Sequence, residues 1–238
     1  MVVTSFPPSH LADENGLLAI GGDVDLETLL LAYRSGIFPW PLEGEVLTWF
    51  APPVRAILEI DQFILSRSMR RFLKRHDLEI FLNRDFESTI IACQQSTNRD
   101  GQLGTWITDD LIEGYLRLHE AGYAHSVECY DGRQLVGGLY GVSLGVMFAG
   151  ESMFHIRNNA SKLCFCFLVS YLRSHSVSWI DCQVMTPLTA SFGAHEVQRT
   201  EFEEMLRFQL SQSQSRIFPI EPKEIGVWRG DYSVGSFN

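Results

Sequence analysis

Acid and amide side chains set among glycines and apolar residues are the part of this sequence best suited to chemistry. Glu151, in GESMF (150–154), directly follows a segment that reads as a strand. Asp181 and Gln183, in IDCQ (180–183), lie two residues apart, so in a strand they share one face while Cys182 points to the other. GTWIT (104–108) is a third segment of the same character. A carboxylate and an amide side by side at a strand end, with a glutamate from a nearby strand end, make a polar site rich in hydrogen-bonding groups. A buried network that only fixes the core would leave the same pattern.

A second feature is electrostatic. Arg67, Arg70, Arg71, Lys74 and Arg75 fall within nine positions of SRSMRRFLKRH, beside the apolar Met69, Phe72 and Leu73. Lys plus Arg is 19 and Asp plus Glu is 29, a net charge of −10, which disfavours a general nucleic-acid coat and makes this basic strip a local anomaly. Such strips are commonly solvated helix faces; they also grip phosphates, positioning a nucleic acid without reading its sequence. Nearby tryptophans would supply stacking surfaces for unpaired bases.

Other motifs fail on context. GVSLG (141–145) has the spacing of a nucleophile elbow, but VMFAG after it reads as strand where the elbow needs a helix. HEAGY (119–123) lacks the second His of a zincin helix, and Cys164 and Cys166 would point to different sides of a helix, so no metal site is expected. There is no GK[ST] phosphate loop and no G-x-G-x-x-G after a strand. Five cysteines without a C-x-x-C pair suit reduced, mostly buried thiols in a cytosolic protein. No apolar run is long enough to span a membrane, and MVVTSFPPSHLADENG does not read as a signal peptide.

The elements that must position these residues follow from caps and periodicity. Residues 1–60 hold six of the nine prolines and read as a small N-terminal domain. Its one clear helix, LETLLLAYRS, has Asp23 or Asp25 as N-cap and ends at Gly36. Residues 61–238 alternate helices and strands, an α/β pattern. Ser66–His76 is expected as a helix, 78–83 as a strand, then helices capped by Asp85 and Thr108, the second closed by Gly122. AHSVECY and RQLVGGLYGV flank an Asp131-Gly132 hairpin turn, and residues 145–150 form a further strand. A helix covers about 159–173, a strand 177–183, and Thr200-x-x-Glu203 reads as a capping box opening a helix to about Leu210. The tail from Ser211 reads as loosely packed apart from Phe218 and Trp228.

Taken in order, ENGLLAIGGD (14–23), YRSGIFPW (33–40), SRSMRRF (66–72), GTWIT (104–108), HS-x-E (125–128), LVGGLYGV (135–142), GESMF (150–154), NASK (159–162) and IDCQ (180–183) resemble the bacterial leucyl/phenylalanyl-tRNA–protein transferases. The likeness runs from about residue 14 to about residue 210. It implies a GNAT-like acyltransferase domain of mixed α and β structure beside a small N-terminal domain. The activity implied is transfer of Leu, Phe or less readily Met from aminoacyl-tRNA to the N-terminal Lys or Arg of a protein, marking it for N-end rule degradation in the cytoplasm. No cofactor, metal or membrane is implied.

The resemblance assigns Asp181 and Gln183 as the catalytic pair and Glu151 to the cationic acceptor end. It calls for an apolar donor pocket, for which Leu139, Phe148, Met153 and Ile180 are the candidates; Trp49 and Trp106 are candidates to stack the terminal adenosine, and the five basic residues of 67–75 to hold tRNA. The chain departs from the family at Thr186 and Leu188, where Asn and His are common, at Cys129 and Tyr130, and at Pro41. Two other classes use the same residues: an acyl-CoA-dependent GNAT N-acetyltransferase, disfavoured because RNNASK (157–162) supplies no pyrophosphate loop, and a non-catalytic RNA-binding module.

Overall fold

The computed structural model describes residues 3–42, 46–96, 106–212 and 215–230. In chain order these contain β1 (Leu17–Ile20), α1 (Leu26–Arg34), β2 (Phe38–Pro39), β3 (Thr48–Phe50), β4 (Val54–Glu59), α2 (Arg67–Leu73), β5 (Glu79–Leu82), α3 (Phe86–Gln95) and α4 (Asp109–Glu120). There follow β6 (Ala124–Asp131), β7 (Gln134–Leu144), β8 (Met147–His155), α5 (Ala160–Ser174), β9 (Trp179–Gln183), α6 (Pro187–Ser191), β10 (His195–Gln198), α7 (Arg199–Ser211) and β11 (Lys223–Gly226).

Local signals account for most helix starts. The side chains of Ser66, Asp85 and Thr108 accept hydrogen bonds from the backbone N–H of Met69, Ser88 and Leu111, satisfying donors that a helix leaves unpaired. Gly36 and Gly122 end their helices with φ of +73° and +76°, a region glycine enters without a Cβ clash. The capping box at Thr200 does not form. Helix α7 leaves β10 directly at Arg199 with no side-chain cap, and the Glu203 carboxylate instead accepts from the Ser9 hydroxyl. A capping box forms at Thr186–Thr189, opening α6 with Pro187 in its first turn. Helix α2 stops at Leu73, short of His76, whose ring is bonded to the Trp228 carbonyl at 2.6 Å.

Strands β1, β3 and β2 form a small antiparallel sheet. The other eight described strands lie in the order β10-β4-β9-β8-β7-β6-β5-β11, all neighbours antiparallel except β8 and β9. The result is a mixed sheet in an α/β fold. GVSLG lies at the β7–β8 hairpin, with the Ser143 hydroxyl donating to the Gly145 carbonyl. The tail does more than the sequence predicts: β11 pairs with β5 and covers that edge, while Phe218 stacks on His125.

The large sheet buries two apolar layers. On one face α1, α3, α4 and α7 bring Leu29, Ile90, Leu111 and Phe202 onto Ile57, Tyr140, Val142 and Ala149. On the other, α2 and α5 bring Met69, Leu73, Leu163 and Phe167 onto Leu58, Val127, Leu139, Phe148 and Ile180. The small sheet packs into the first layer through Phe38 and Trp49, so the site described next is walled by both parts of the chain.

Candidate active site

The only parallel pair among the described strands pairs at just two places, Phe148 with Ile180 and Ala149 with Asp181. Immediately beyond, both strands bulge. On β8, Gly150 pairs with Gly141 and Ser152 with Tyr140, which leaves Glu151 as the extra residue. On β9, Asp181 pairs with Ile57 and Gln183 with Ala56, which leaves Cys182 extra. A bulge re-aims the side chains around it and ends regular pairing. Two bulges at matching depth on adjacent strands turn Glu151, Asp181 and Gln183 to the same face of the sheet, the one covered by α1 and α4.

Around Glu151 the groups form a closed set. Its Oε1 accepts from the Tyr33 hydroxyl at 2.7 Å and from Gln183 Nε2 at 2.7 Å; its Oε2 accepts from the Tyr115 hydroxyl at 2.9 Å. The two hydroxyls are also 2.7 Å apart. Glu151 is thus the acceptor on which both hydroxyls and the Gln183 amide converge. Burial pushes the Glu151 carboxyl up to about 7, helped by the charge of Asp181 and opposed by the hydrogen bonds from Tyr33, Tyr115 and Gln183. Burial and the charge of Glu151 push both tyrosine hydroxyls well above their ordinary value of 10.0, so they remain donors.

Asp181 is wholly buried and its oxygens face inward. Oδ1 accepts from Arg55 Nε at 2.8 Å and from the Gln183 backbone N–H at 2.9 Å; Oδ2 accepts from Arg55 Nη2 at 2.6 Å. Asp181 thus holds the backbone of Gln183, while Glu151 holds its side-chain amide. Gln183 itself has φ +61°, left-handed for a non-glycine residue.

Three members of this network carry no role in the sequence reading. Arg55 is the single basic residue of β4, VRAILE, and a cation in an otherwise apolar strand is the signal that marks it. Tyr33 lies inside the YRSGIFPW segment, and Tyr115 falls on the buried stripe of α4 with Leu111, Gly114 and Leu118. A second buried acid, Glu128 in HS-x-E, lies apart from them. Its Oε1 takes the Ser126 hydroxyl at 2.5 Å and the Asp85 N–H at 3.2 Å, tying β6 to the start of α3.

The other expected residues fall in three places. Leu139, Phe148 and Ile180 are buried and Met153 is partly exposed, all in the apolar layer under α5, on the sheet face opposite Glu151. At Gly150, where β8 and β9 stop pairing, an added Cβ would make ordinary contact with the Asp181 carbonyl at 3.8 Å and with Ile180 at 3.9 Å. Trp49 is 1% exposed, packed edge-on to Phe6 and donating from Nε1 to the Gly21 carbonyl, so no face of its ring is left for a base. Trp106 is half-buried and stacks at 5.5 Å on Trp40. Gly104 and Thr105 of GTWIT lie outside the described residues.

Arg67, Arg70, Arg71, Lys74 and Arg75 are all exposed, while Met69 and Leu73 anchor α2 to the layer beneath. Thr186 spends its side chain on the α6 cap, and Leu188 packs against the α5-side layer. Among the described residues no group of three His, Cys, Asp or Glu could hold a metal ion, and no helix is long and apolar enough to cross a membrane.

A family model described as leucyl/phenylalanyl-tRNA protein transferase matches residues 57–207, and one described as the N-terminal domain of the same transferase matches residues 22–53. Relatives named leucyl/phenylalanyl-tRNA–protein transferase agree. The one from Flavobacterium johnsoniae is 48% identical over 202 residues, covering 85% of this chain and 95% of its own. That from Syntrophus aciditrophicus is 49% identical over 205 residues (86% and 85%), and that from Pseudoalteromonas atlantica 46% over 202 residues (84% and 86%).

Proposed function

Since the chain belongs to the leucyl/phenylalanyl-tRNA–protein transferase family, we propose that it carries Leu, Phe and less readily Met from aminoacyl-tRNA to the N-terminal Lys or Arg of acceptor proteins. The products are proteins marked for N-end rule degradation in the cytoplasm. The observation that supports this reading most is the meeting of Glu151, Gln183 and Asp181 where the parallel strands cease to pair. The same reading divides the chain at Pro52–Pro53 rather than at residue 60, because β4 is an inner strand of the large sheet.

The chemistry asked of the protein is modest. The donor is an ester, already activated, and the nucleophile is an α-amino group with an ordinary pKa of about 7.7–8.0, so a neutral fraction exists at physiological pH. The amine nitrogen bonds to the ester carbonyl carbon, the carbon–ribose oxygen bond breaks, and the amine proton ends on the departing ribose hydroxyl. What remains is to hold ester and amine in reacting geometry.

Gln183 has no useful basicity. With its Nε2 committed to Glu151, its amide oxygen is the acceptor that takes a hydrogen bond from the attacking amine and aims the nitrogen lone pair. Glu151 meets the cationic acceptor residue and, on doing so, gives up the proton that burial favours in the empty site. The apolar layer behind Gly150, with Leu139, Phe148, Met153 and Ile180, receives the donor side chain, for which an unbranched Met offers adaptable packing. Trp106 and Trp40 stack the terminal adenosine, and the α2 basic strip grips the tRNA backbone.

Mixing the protein with labelled Phe-tRNA and an Arg-started peptide tests the reading. Label should move to the peptide, and prior ribonuclease treatment of the donor should abolish transfer. Transfer from an acyl-CoA, or binding of RNA with no transfer at all, would overturn it.

A further inference from the structure

The geometry points to Arg55 as the positioning residue of the transfer reaction: through Asp181 it fixes the left-handed turn that aims the Gln183 amide, and through Phe38 and Gly36 it locks that turn to the aromatic side of the site. This builds on the proposed transfer activity but goes to a residue to which neither the family likeness nor the sequence gives a role.

Arg55 is 2% exposed and uses its whole guanidinium. Nε and Nη2 fork onto the two oxygens of Asp181, and Nη1 donates to the Gly36 carbonyl at 3.2 Å. Above and below, the rings of Phe38 and Phe202 each lie 4.5 Å from the guanidinium carbon. A planar fork sandwiched between two rings has one orientation, which a lysine ammonium cannot reproduce.

The grip passes on to the reacting group. Asp181, without solvent exposure and with both oxygens engaged, has no path to a substrate, so it acts on its neighbour. Its Oδ1 holds the Gln183 N–H, and that bond closes the bulge that puts Gln183 at φ +61°. A non-glycine residue keeps such a backbone only where its surroundings enforce it. On the other side, Phe38 lies 6.3 Å from Trp40, which stacks on Trp106. One side chain thus sets the amide that meets the acceptor and the rings proposed for the donor in a common frame. Gly36 shares in this: a Cβ there would come within 2.9 Å of Phe202, spreading the sandwich.

The test compares wild type, R55K, D181N and the double variant in two readouts. The first is kcat and donor KM in the labelled transfer assay. The second is hydrogen-exchange protection of the Gln183 amide against that of core amides of α5, with thermal midpoints as a check on folding. In both single variants kcat should fall roughly 100-fold at little change in donor KM, the effect of a small misplacement of a reacting group. Gln183 protection should drop at least about tenfold while α5 stays protected, and the double variant should be no worse than the poorer single. Full turnover and unchanged Gln183 protection in R55K, or losses that multiply in the double variant, would overturn the assignment. If wild type transfers nothing, the transfer reading fails, and the exchange data alone still decide whether Arg55 fixes the turn.

Discussion

Glu151 is enclosed with Tyr33, Tyr115 and Gln183, and its burial sets how the site should respond to pH. Glu151 has an ordinary value of 4.5 and is raised to about 7 in the folded protein. Between those values the unfolded chain loses the proton while the folded one keeps it. The contribution of this group to stability is therefore greatest at low pH and is lost as pH climbs from 4.5 toward about 7. Gln at this position reproduces the donor and acceptor pattern of the neutral acid. Glu151→Gln should then melt like wild type below pH 4.5 and be more stable than wild type above pH 7, by at most about 3 kcal/mol. A variant less stable than wild type at pH 8 would contradict the raised Glu151 carboxyl. In transfer assays the KM of wild type for an Arg-started peptide should fall as pH rises through about 7, because the carboxylate appears there, and Glu151→Gln should show a higher KM without that dependence. Glu151, Asp181 and Gln183 are legible as isolated polar residues in glycine-rich or apolar strands. Tyr33 and Tyr115 are not, and Arg55 shows only as a lone cation in an apolar strand, because the partners that bring them to the site lie 118, 36 and 126 residues away. The burial of Trp49 in place of Trp40 depends on which face of a three-residue strand meets the core, and so short a strand carries no periodicity to read.

Helix α2 joins the local and the electrostatic arguments. Its Ser66 cap and the Met69–Leu73 stripe place five cations outward on a chain of net charge −10. Phosphate contacts act at long range and release counterions. Neutralising Arg70, Arg71 and Lys74 together should weaken full-length tRNA and lower its log–log salt slope by about 2, at roughly 0.7 per phosphate contact on single strands. A minimal aminoacyl-adenosine donor should be used as before. Equal loss with both donors would mean that α2 acts through stability alone. Caps and turns at this scale are legible because they are local: Asp85, Thr108 and Asp131-Gly132 fall where the sequence puts them. The Thr200 box fails for a non-local reason, since Glu203 is taken by a residue 194 positions away. The bulges at Glu151 and Cys182 are invisible for the same cause, because register is a property of two strands and each strand alone still alternates.

At the scale of the molecule, the two parts of the chain divide the work in space. Tyr33, Gly36, Phe38 and Trp40 come from the N-terminal part, and Glu151, Asp181 and Gln183 from the large sheet, with Arg55 bonded to both. The alternation of helices and strands announces the α/β class, but the strand order that sets β8 beside β9 is long-range and has to be seen. In the proposed function the tRNA end is held by the basic helix, the tryptophan pair and the apolar layer, and the acceptor by Glu151, which keeps its tyrosine partners without Gln183. Removing the Gln183 amide should therefore leave both substrates bound and strike only the step that joins them. Steady-state kinetics of Gln183→Ala beside wild type, with Phe-tRNA and an Arg-started peptide, measure this most directly. The account predicts kcat lowered by roughly 100-fold or more with the donor KM unchanged. A donor KM raised as much as kcat is lowered, or turnover equal to wild type, would contradict it.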